Sequence, residues 1–271
     1  MYTSFNLSAG NNDLDKLFKN NRAYYFQRGK QLLERNTIGL EKSLNDYIVE
    51  RDLLDGATME DDWFPSINAD IFLSHSHKDE ELVIALAGWL DEKCGVKAFV
   101  DSCVWGYSDK LLKKLDDKYC RKSSSETYDY QTRNVTTSHV HMMLNSALAK
   151  MMDKTECLFF INTNNAINVK SYFNDSRTYS PWIYSEVNLS HIIRKKSKDE
   201  HRMSIITESM SDVIKHSYNL QIAHRVSLEH MTPISCKELE SWANRVQGHN
   251  LPYPLDSLYA LMGIKEKVLN G

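Results

Sequence analysis

The sequence predicts an α/β fold: an open, doubly wound, five-stranded parallel sheet with an N-terminal helical extension. Two observations carry this. From residue 69 onward, short apolar runs of strand length alternate with segments of helical periodicity, the pattern that builds parallel sheets with helical crossovers. Before that point the apolar residues recur only at helical spacing. The chain's 271 residues, 42% hydrophobic and 25% charged, suit one sizeable domain plus an extension.

In the first 66 residues, Leu14, Leu17, Phe18, Tyr24, Tyr25, Leu32 and Leu33 predict a helix over 12–35. Leu40, Leu44, Tyr47, Ile48 and Leu53 predict another over 38–55. The segment GATMEDDWFPSIN reads as a linker, with Gly56 ending the helix and Pro65 barring its continuation. The expected division is an extension over 1–66 and the α/β domain over 67–271.

ADIFLS (69–74) is apolar throughout, as a strand buried on both faces should be. Leu82, Val83, Leu86, Ala87 and Leu90 then share one face of a helix over 79–93. Ser76 and Asp79 have capping-box spacing before it. Gly95 stops this helix, and VKAFVD (96–101) is the second strand. A short helix is expected over 108–120. The polar stretch from 121 to 138 reads as a flexible loop. A helix over 138–153 leads into CLFFINT (157–163), the third strand. A helix over 181–196 and strands at 203–207 (MSIIT) and 222–228 (IAHRVSL) follow, then helices over 236–247 and 255–268.

Several function classes lose support. A formal net charge of −3 argues against binding nucleic acid through its phosphates. No apolar run approaches the ~20 residues that span a bilayer, and the opening residues lack a secretory layout, so a cytoplasmic location is expected. Five scattered cysteines contain no C-x-x-C pair and read as reduced thiols. His75 with His77, and His139 with His141, stand two apart, but no zinc-ligand spacing appears, so no metal is expected. Glycine-rich phosphate loops and the G-x-S-x-G elbow are also missing.

In doubly wound sheets, ligands bind beyond the carboxyl ends of the strands where the strand order reverses. For flavodoxin-like order those ends belong to the first and third predicted strands. That selects Ser74–His77 and Asn162–Asn165.

Three segments resemble the Toll/interleukin-1-receptor (TIR) domain family, in the family's order, over residues 68–270. ADIFLSHSHKDE is similar to the family's first strand and loop, D-[IV]-F-[IL]-S. GVKAFVD is similar to its second strand, which ends in an acidic residue, here Asp101. SPWIYSEV (180–187) is similar to its W-x-x-x-E signature, with Trp182 and Glu186. Two departures stand out. The region between Asp101 and the next long helix exceeds the family's usual length. His75, Ser76 and His77 replace the residues that often follow the first-strand serine.

The resemblance to the family's NAD-cleaving members implies an enzyme that breaks the nicotinamide–ribose bond of NAD, with Glu186 catalytic and NAD the substrate rather than a cofactor. Nicotinamide in NAD is already cationic and can leave without a general acid. Positive charge then builds on the ribose, and one carboxylate suffices to stabilise it. Water attack would give ADP-ribose; internal attack would give a cyclic product. Trp182 and Glu186, four apart on a helix, share a face; Trp182 can wall the pocket or anchor the core. Asp101 can contact a ribose hydroxyl or cap its turn. Trp105 and Tyr107, on the following loop, can stack on a base or pack on the domain. Ser74 and Ser76 can donate to phosphate near a helix start, and Ser76 can equally serve as a cap. His75 and His77 complete the substrate-facing set.

The resemblance further implies homo-oligomers through TIR–TIR contacts, a downstream effector protein that senses the nucleotide product, and a role in antiviral defence. The alternative is a non-catalytic TIR-like adaptor or virulence protein acting through domain–domain contacts. A nucleotide sensor without turnover is a third reading.

Overall fold

Five parallel strands form one sheet: β1 (Thr3–Ser8), β2 (Ile71–Ser74), β3 (Ala98–Val100), β4 (Cys157–Asn162) and β5 (Thr232–Ile234). Their spatial order is β3-β2-β4-β1-β5. The computed structural model describes residues 1–35, 43–50, 53–122, 127–167, 176–202, 224–247, 249 and 251–265. Phe72 of β2 pairs with Phe99 of β3 and Leu158 of β4, and Phe5 of β1 pairs with Phe159 of β4.

The helices among the described residues are α1 (Asn11–Leu17), α2 (Arg22–Arg35), α3 (Gly56–Trp63), α4 (Glu80–Cys94), α5 (Ser102–Leu115), α6 (Tyr130–Lys154), α7 (Pro181–Ile192), α8 (Lys198–Arg202), α9 (Cys236–Val246) and α10 (Pro254–Leu261). Side-chain alternation along the strands divides the core in two. Phe72, Phe99, Leu158 and Phe160 face one cluster with Trp63 of α3, Leu111 of α5, Leu144 of α6 and Ile183 of α7. Ile71, Leu73, Phe159 and Ile161 face the other with Leu14 of α1, Leu86 of α4, Trp242 of α9 and Leu258 of α10. Helices therefore cover both faces, an arrangement compatible with a doubly wound α/β fold.

The N-terminal residues enter the sheet rather than standing outside it. β1 lies between β4 and β5. Its Phe5 and Leu7 are fully buried, while Ser4 and Asn6 face the other way. Helix α2 crosses α4 at near-contact of the two backbones. A Cβ on Gly88 would stand 2.1 Å from the Tyr25 carbonyl oxygen, and one on Gly29 would stand 2.0 Å from that of Ile84. Only glycine permits this approach.

Several expected elements differ. Over its described part, the helix expected at 38–55 is a single 3-10 turn, Leu44–Tyr47, followed by short antiparallel strands at Ile48–Glu50 and Leu53–Leu54. The expected linker carries α3, because the Asp55 carboxylate accepts hydrogen bonds from the amides of Ala57 and Thr58. Helix α6 begins eight residues before the expected start, since Asp129 caps it through the Thr132 amide at 2.9 Å. The strand expected at 203–207 lies outside the described residues. In place of the strand expected at 222–228, His224–Arg225 pairs antiparallel with Arg177–Thr178 in a separate ribbon. The edge position of the sheet is taken by β5, where Pro233 is tolerated because an edge strand needs fewer donors. Among the described residues no helix is long and apolar enough to cross a membrane.

Candidate functional site

Strand β2 is followed in the chain by β3 on one side of it and then by β4 on the other. The order therefore reverses at β2, and a crevice is expected beyond the carboxyl ends of β2 and β4. Ser74 ends β2, and Thr163 follows β4. Asp79, buried at the start of α4, ties the two ends together. It accepts from the Thr163 hydroxyl at 2.5 Å and from Nδ2 of Asn165 at 2.7 Å. The capping-box expectation for Ser76 and Asp79 is thus corrected. Ser76 precedes a 3-10 turn without a side-chain cap bond, and the Asp79 carboxylate is drawn across the crevice instead.

Glu186 reaches the end of β2 from α7. Ser180 caps that helix through the Ile183 amide at 3.2 Å, and Pro181 opens its first turn. One and a half turns later, Glu186 is 1% exposed, and its Oε2 accepts the Ser74 hydroxyl at 2.6 Å. Asp101, just past β3, is fully buried. Its Oδ1 stands 2.6 Å from Nδ1 of His75, also fully buried. The pairing of β2 with β3 explains this meeting, because Leu73 lies opposite Val100 and brings Asp101 level with the residues after Leu73.

Three titratable side chains therefore share a space closed to water, and burial governs their charge. Burial pushes the Asp101 carboxyl up to about 8. The nearby Glu186 side chain and the backbone of Ser102 and His75 oppose the rise. Burial, then the neighbouring Asp101 charge, raises Glu186 well above the usual carboxylate range, against the pull of the Ser74 hydroxyl. Burial lowers His75 to about 4, so its imidazole is neutral near pH 7, although Glu186, Glu80 and Asp79 favour its charged form. Burial thus favours the protonated form of both carboxyls.

The other sequence-selected residues separate into groups. Ser76 is buried and His77 half-buried beside the cluster's loop. Trp182 packs partly buried against the core, edge-on to His141 with ring centres 5.6 Å apart. Trp105 and Tyr107 stand on α5, not on a loop. Tyr107 is buried in the core and the Trp105 side chain lies outside the described residues. Sequence reasoning missed Thr163 as a partner of Asp79 and missed the direct coupling of Asp101 to Glu186. The position of Thr163 at the end of the third predicted strand was the available signal for the first.

A surface hollow of about 540 Å³ lies elsewhere, lined by Ser8, Lys16, Leu17, Ser235, Cys236 and Lys237 among others. Ser235 and Glu238 already cap the helix facing it. It lacks the convergent buried groups of the carboxyl cluster, which is the better candidate for chemistry. Matched against family models, curated proteins and solved structures, the chain finds no counterpart.

Proposed function

We propose that this chain is a TIR-like enzyme that cleaves the nicotinamide–ribose bond of NAD. The observation that carries this reading is the buried carboxyl of Glu186, held by Ser74 at the carboxyl edge of a parallel sheet and coupled to Asp101. A carboxyl so confined has a fixed position and a protonation state that a nearby cation can change. Both are properties of reactive carboxyls rather than of solvated ones.

In the proposed reaction the bond from ribose C1′ to the nicotinamide nitrogen breaks, and its electron pair leaves with the ring, which becomes neutral. Positive charge develops on C1′ and the ribose ring oxygen. The ionised Glu186 carboxylate stabilises that charge in a low-dielectric surrounding, where such an interaction is strongest. Attack by water gives ADP-ribose and a proton. Attack by an adenine nitrogen or a ribose hydroxyl of the same molecule gives a cyclic ADP-ribose-type product and a proton. Ser74 keeps the carboxyl in place, and His75 and Asp101 are the residues that would complete its surroundings.

Glu186 is closed to solvent, so turnover requires a movement that opens a path to it. Such a requirement fits an enzyme that works only after assembling into homo-oligomers. Cytoplasmic production of a nucleotide signal for an effector protein, in antiviral defence, is the biological setting this reading suggests. One observation favours a second reading, a non-catalytic adaptor: a buried glutamic acid bonded to serine can also serve purely to lock α7 to β2. Nicotinamide release separates the two. The wild-type protein, assayed at high concentration to permit assembly, is expected to liberate nicotinamide from NAD, and Glu186→Gln is not. Equal release by both proteins would refute the role given to Glu186.

A further inference from the structure

At the far end of α7, apart from the carboxyl cluster and from the NAD-cleaving reading, two histidines meet. His191, in the last turn of the helix, is exposed, and His230, just before β5, is half-buried. Their ring centres lie 4.8 Å apart with the planes at 85°. Nearly forty positions separate them in the chain, so no ligand spacing announces the pair. The Ser190 hydroxyl donates to the Val187 carbonyl at 2.8 Å and stands 2.8 Å from Nε2 of His230. A hydroxyl has one proton to give. With that proton on Val187, Nε2 of His230 is the donor to Ser190, and the ring's lone pair falls on Nδ1. This Nδ1 is buried and finds no hydrogen-bond partner among the described residues. We propose that Nδ1 of His230 and the imidazole of His191 bind a divalent transition-metal ion of the Zn²⁺ class, which would join α7 to the segment leading into β5.

The geometry suits such an ion. A metal about 2.0–2.1 Å from each nitrogen stands about 3.2 Å from each ring centre. Centres 4.8 Å apart then set a nitrogen–metal–nitrogen angle of roughly 100°, close to tetrahedral. The bond from Nε2 to Ser190, itself fixed by Val187, holds the His230 ring as outer partners hold metal-binding histidines. His191 is exposed, so its ring can turn a nitrogen toward Nδ1 without disturbing the core. Burial lowers His230 to about 4, helped by His191 and Lys195, so near pH 7 no proton competes for Nδ1. The carboxyl-terminal end of a helix favours a cation. The Lys195 ammonium, on the Ser190 carbonyl at 3.2 Å, opposes one, but its side chain is exposed and can swing aside. Among the described residues no group of three or more metal-binding side chains gathers anywhere, so the remaining positions on the ion belong to water. Two imidazoles suit Zn²⁺, Ni²⁺ or Cu²⁺ and not Mg²⁺ or Ca²⁺, which take oxygen ligands.

The test titrates the full chain with Zn²⁺ by calorimetry at pH 7 in a buffer that does not chelate the ion. The wild type is expected to take up one Zn²⁺ more than His191→Ala or His230→Ala, and an excess of Mg²⁺ is expected to leave that uptake unchanged. Zn²⁺ should also raise the thermal unfolding midpoint of the wild type, as any ligand of the folded state does, and raise it less in both variants. Ser190→Ala keeps both imidazoles but frees the His230 ring. Its Zn²⁺ affinity should fall about 10–100-fold, a loss that a serine serving only the helix would not produce. His191 is exposed, so its replacement leaves the fold intact and keeps the test decisive if His230→Ala fails to fold. Zn²⁺ uptake that is unchanged in His191→Ala, or absent from the wild type, overturns the assignment.

Discussion

The Ser74 hydroxyl donates to Oε2 of Glu186 at 2.6 Å, joining the end of β2 to the middle of α7. Both groups are buried, so removing the hydroxyl leaves the carboxyl short of a donor. Ser74→Ala is expected to cost about 1–3 kcal/mol of stability, measured by denaturant unfolding. Because the Ser74 bond lowers the Glu186 pKa, its loss should also move the acid limb of any NAD-cleaving activity to higher pH. An unchanged pH profile would separate Ser74 from the titration of Glu186.

The carboxyl pair should make stability fall as pH rises. Asp101 holds its proton up to about pH 8 in the folded chain, whereas an unfolded aspartate loses it near ~4. Glu186 shifts in the same direction. Between these limits the folded state binds more protons than the unfolded state, so rising pH favours unfolding. His75, His201 and His230, lowered to about 4 mainly by burial, act oppositely between pH 4 and their unfolded value near ~6.5. Between about pH 6.5 and 8 the histidines no longer contribute, and the Met1 amine, lowered to about 5 mainly by burial, still opposes the carboxyl effect; the share of Glu186 is therefore read as a difference between variants. Thermal unfolding across that window should show a midpoint that falls more steeply, or rises less, with pH in the wild type than in Glu186→Gln.

The crossing of α2 and α4 tolerates no side chain at Gly88, where a Cβ would collide with the Tyr25 carbonyl. Gly88→Ala is expected to destabilise the protein by about 1–3 kcal/mol through overpacking, despite the better helix propensity of alanine. A neutral or stabilising effect in chemical denaturation would mean that α2 does not sit on α4 as described.

Asp79 should matter more to the geometry of the crevice than to the start of α4. Asp79→Ala leaves the Thr163 hydroxyl without this acceptor and frees the Asn165 amide from it. A loss of about 1.5–3 kcal/mol is expected, as for hydrogen bonds to charged groups. Thr163→Val should reproduce part of it. Additive losses in the double variant would argue against the link, since partners in one hydrogen-bond network couple.

Much of the sheet was legible because β2 and β4 are continuous apolar runs buried on both faces. β1 was not, because TSFNLS alternates polar with apolar residues in a way unlike a central parallel strand. Ser4 and Asn6 nonetheless turn inward, and pairing with β4 and β5 decides the conformation that local pattern leaves open. β5 was hidden by its length of three residues and by Pro233. The early start of α6 was obscured by the mostly polar residues 130–135, which face solvent while Asp129 caps the helix. At the site, helical spacing and the W-x-x-x-E resemblance grouped Trp182 with Glu186. Packing sends Trp182 toward His141, and the partner that matters most to Glu186, Asp101, comes from strand register rather than sequence proximity.

Nicotinamide release is the most direct measure of whether Glu186 is chemical or structural. In matched assays of purified wild type and Glu186→Gln, at equal and high concentration and with the folded state of both verified by circular dichroism, the wild type should convert NAD to nicotinamide. The variant should be at least ~10²-fold slower, the scale expected when one electrostatic stabiliser of a transition state is removed. Release at the same rate from the folded variant would contradict a catalytic Glu186.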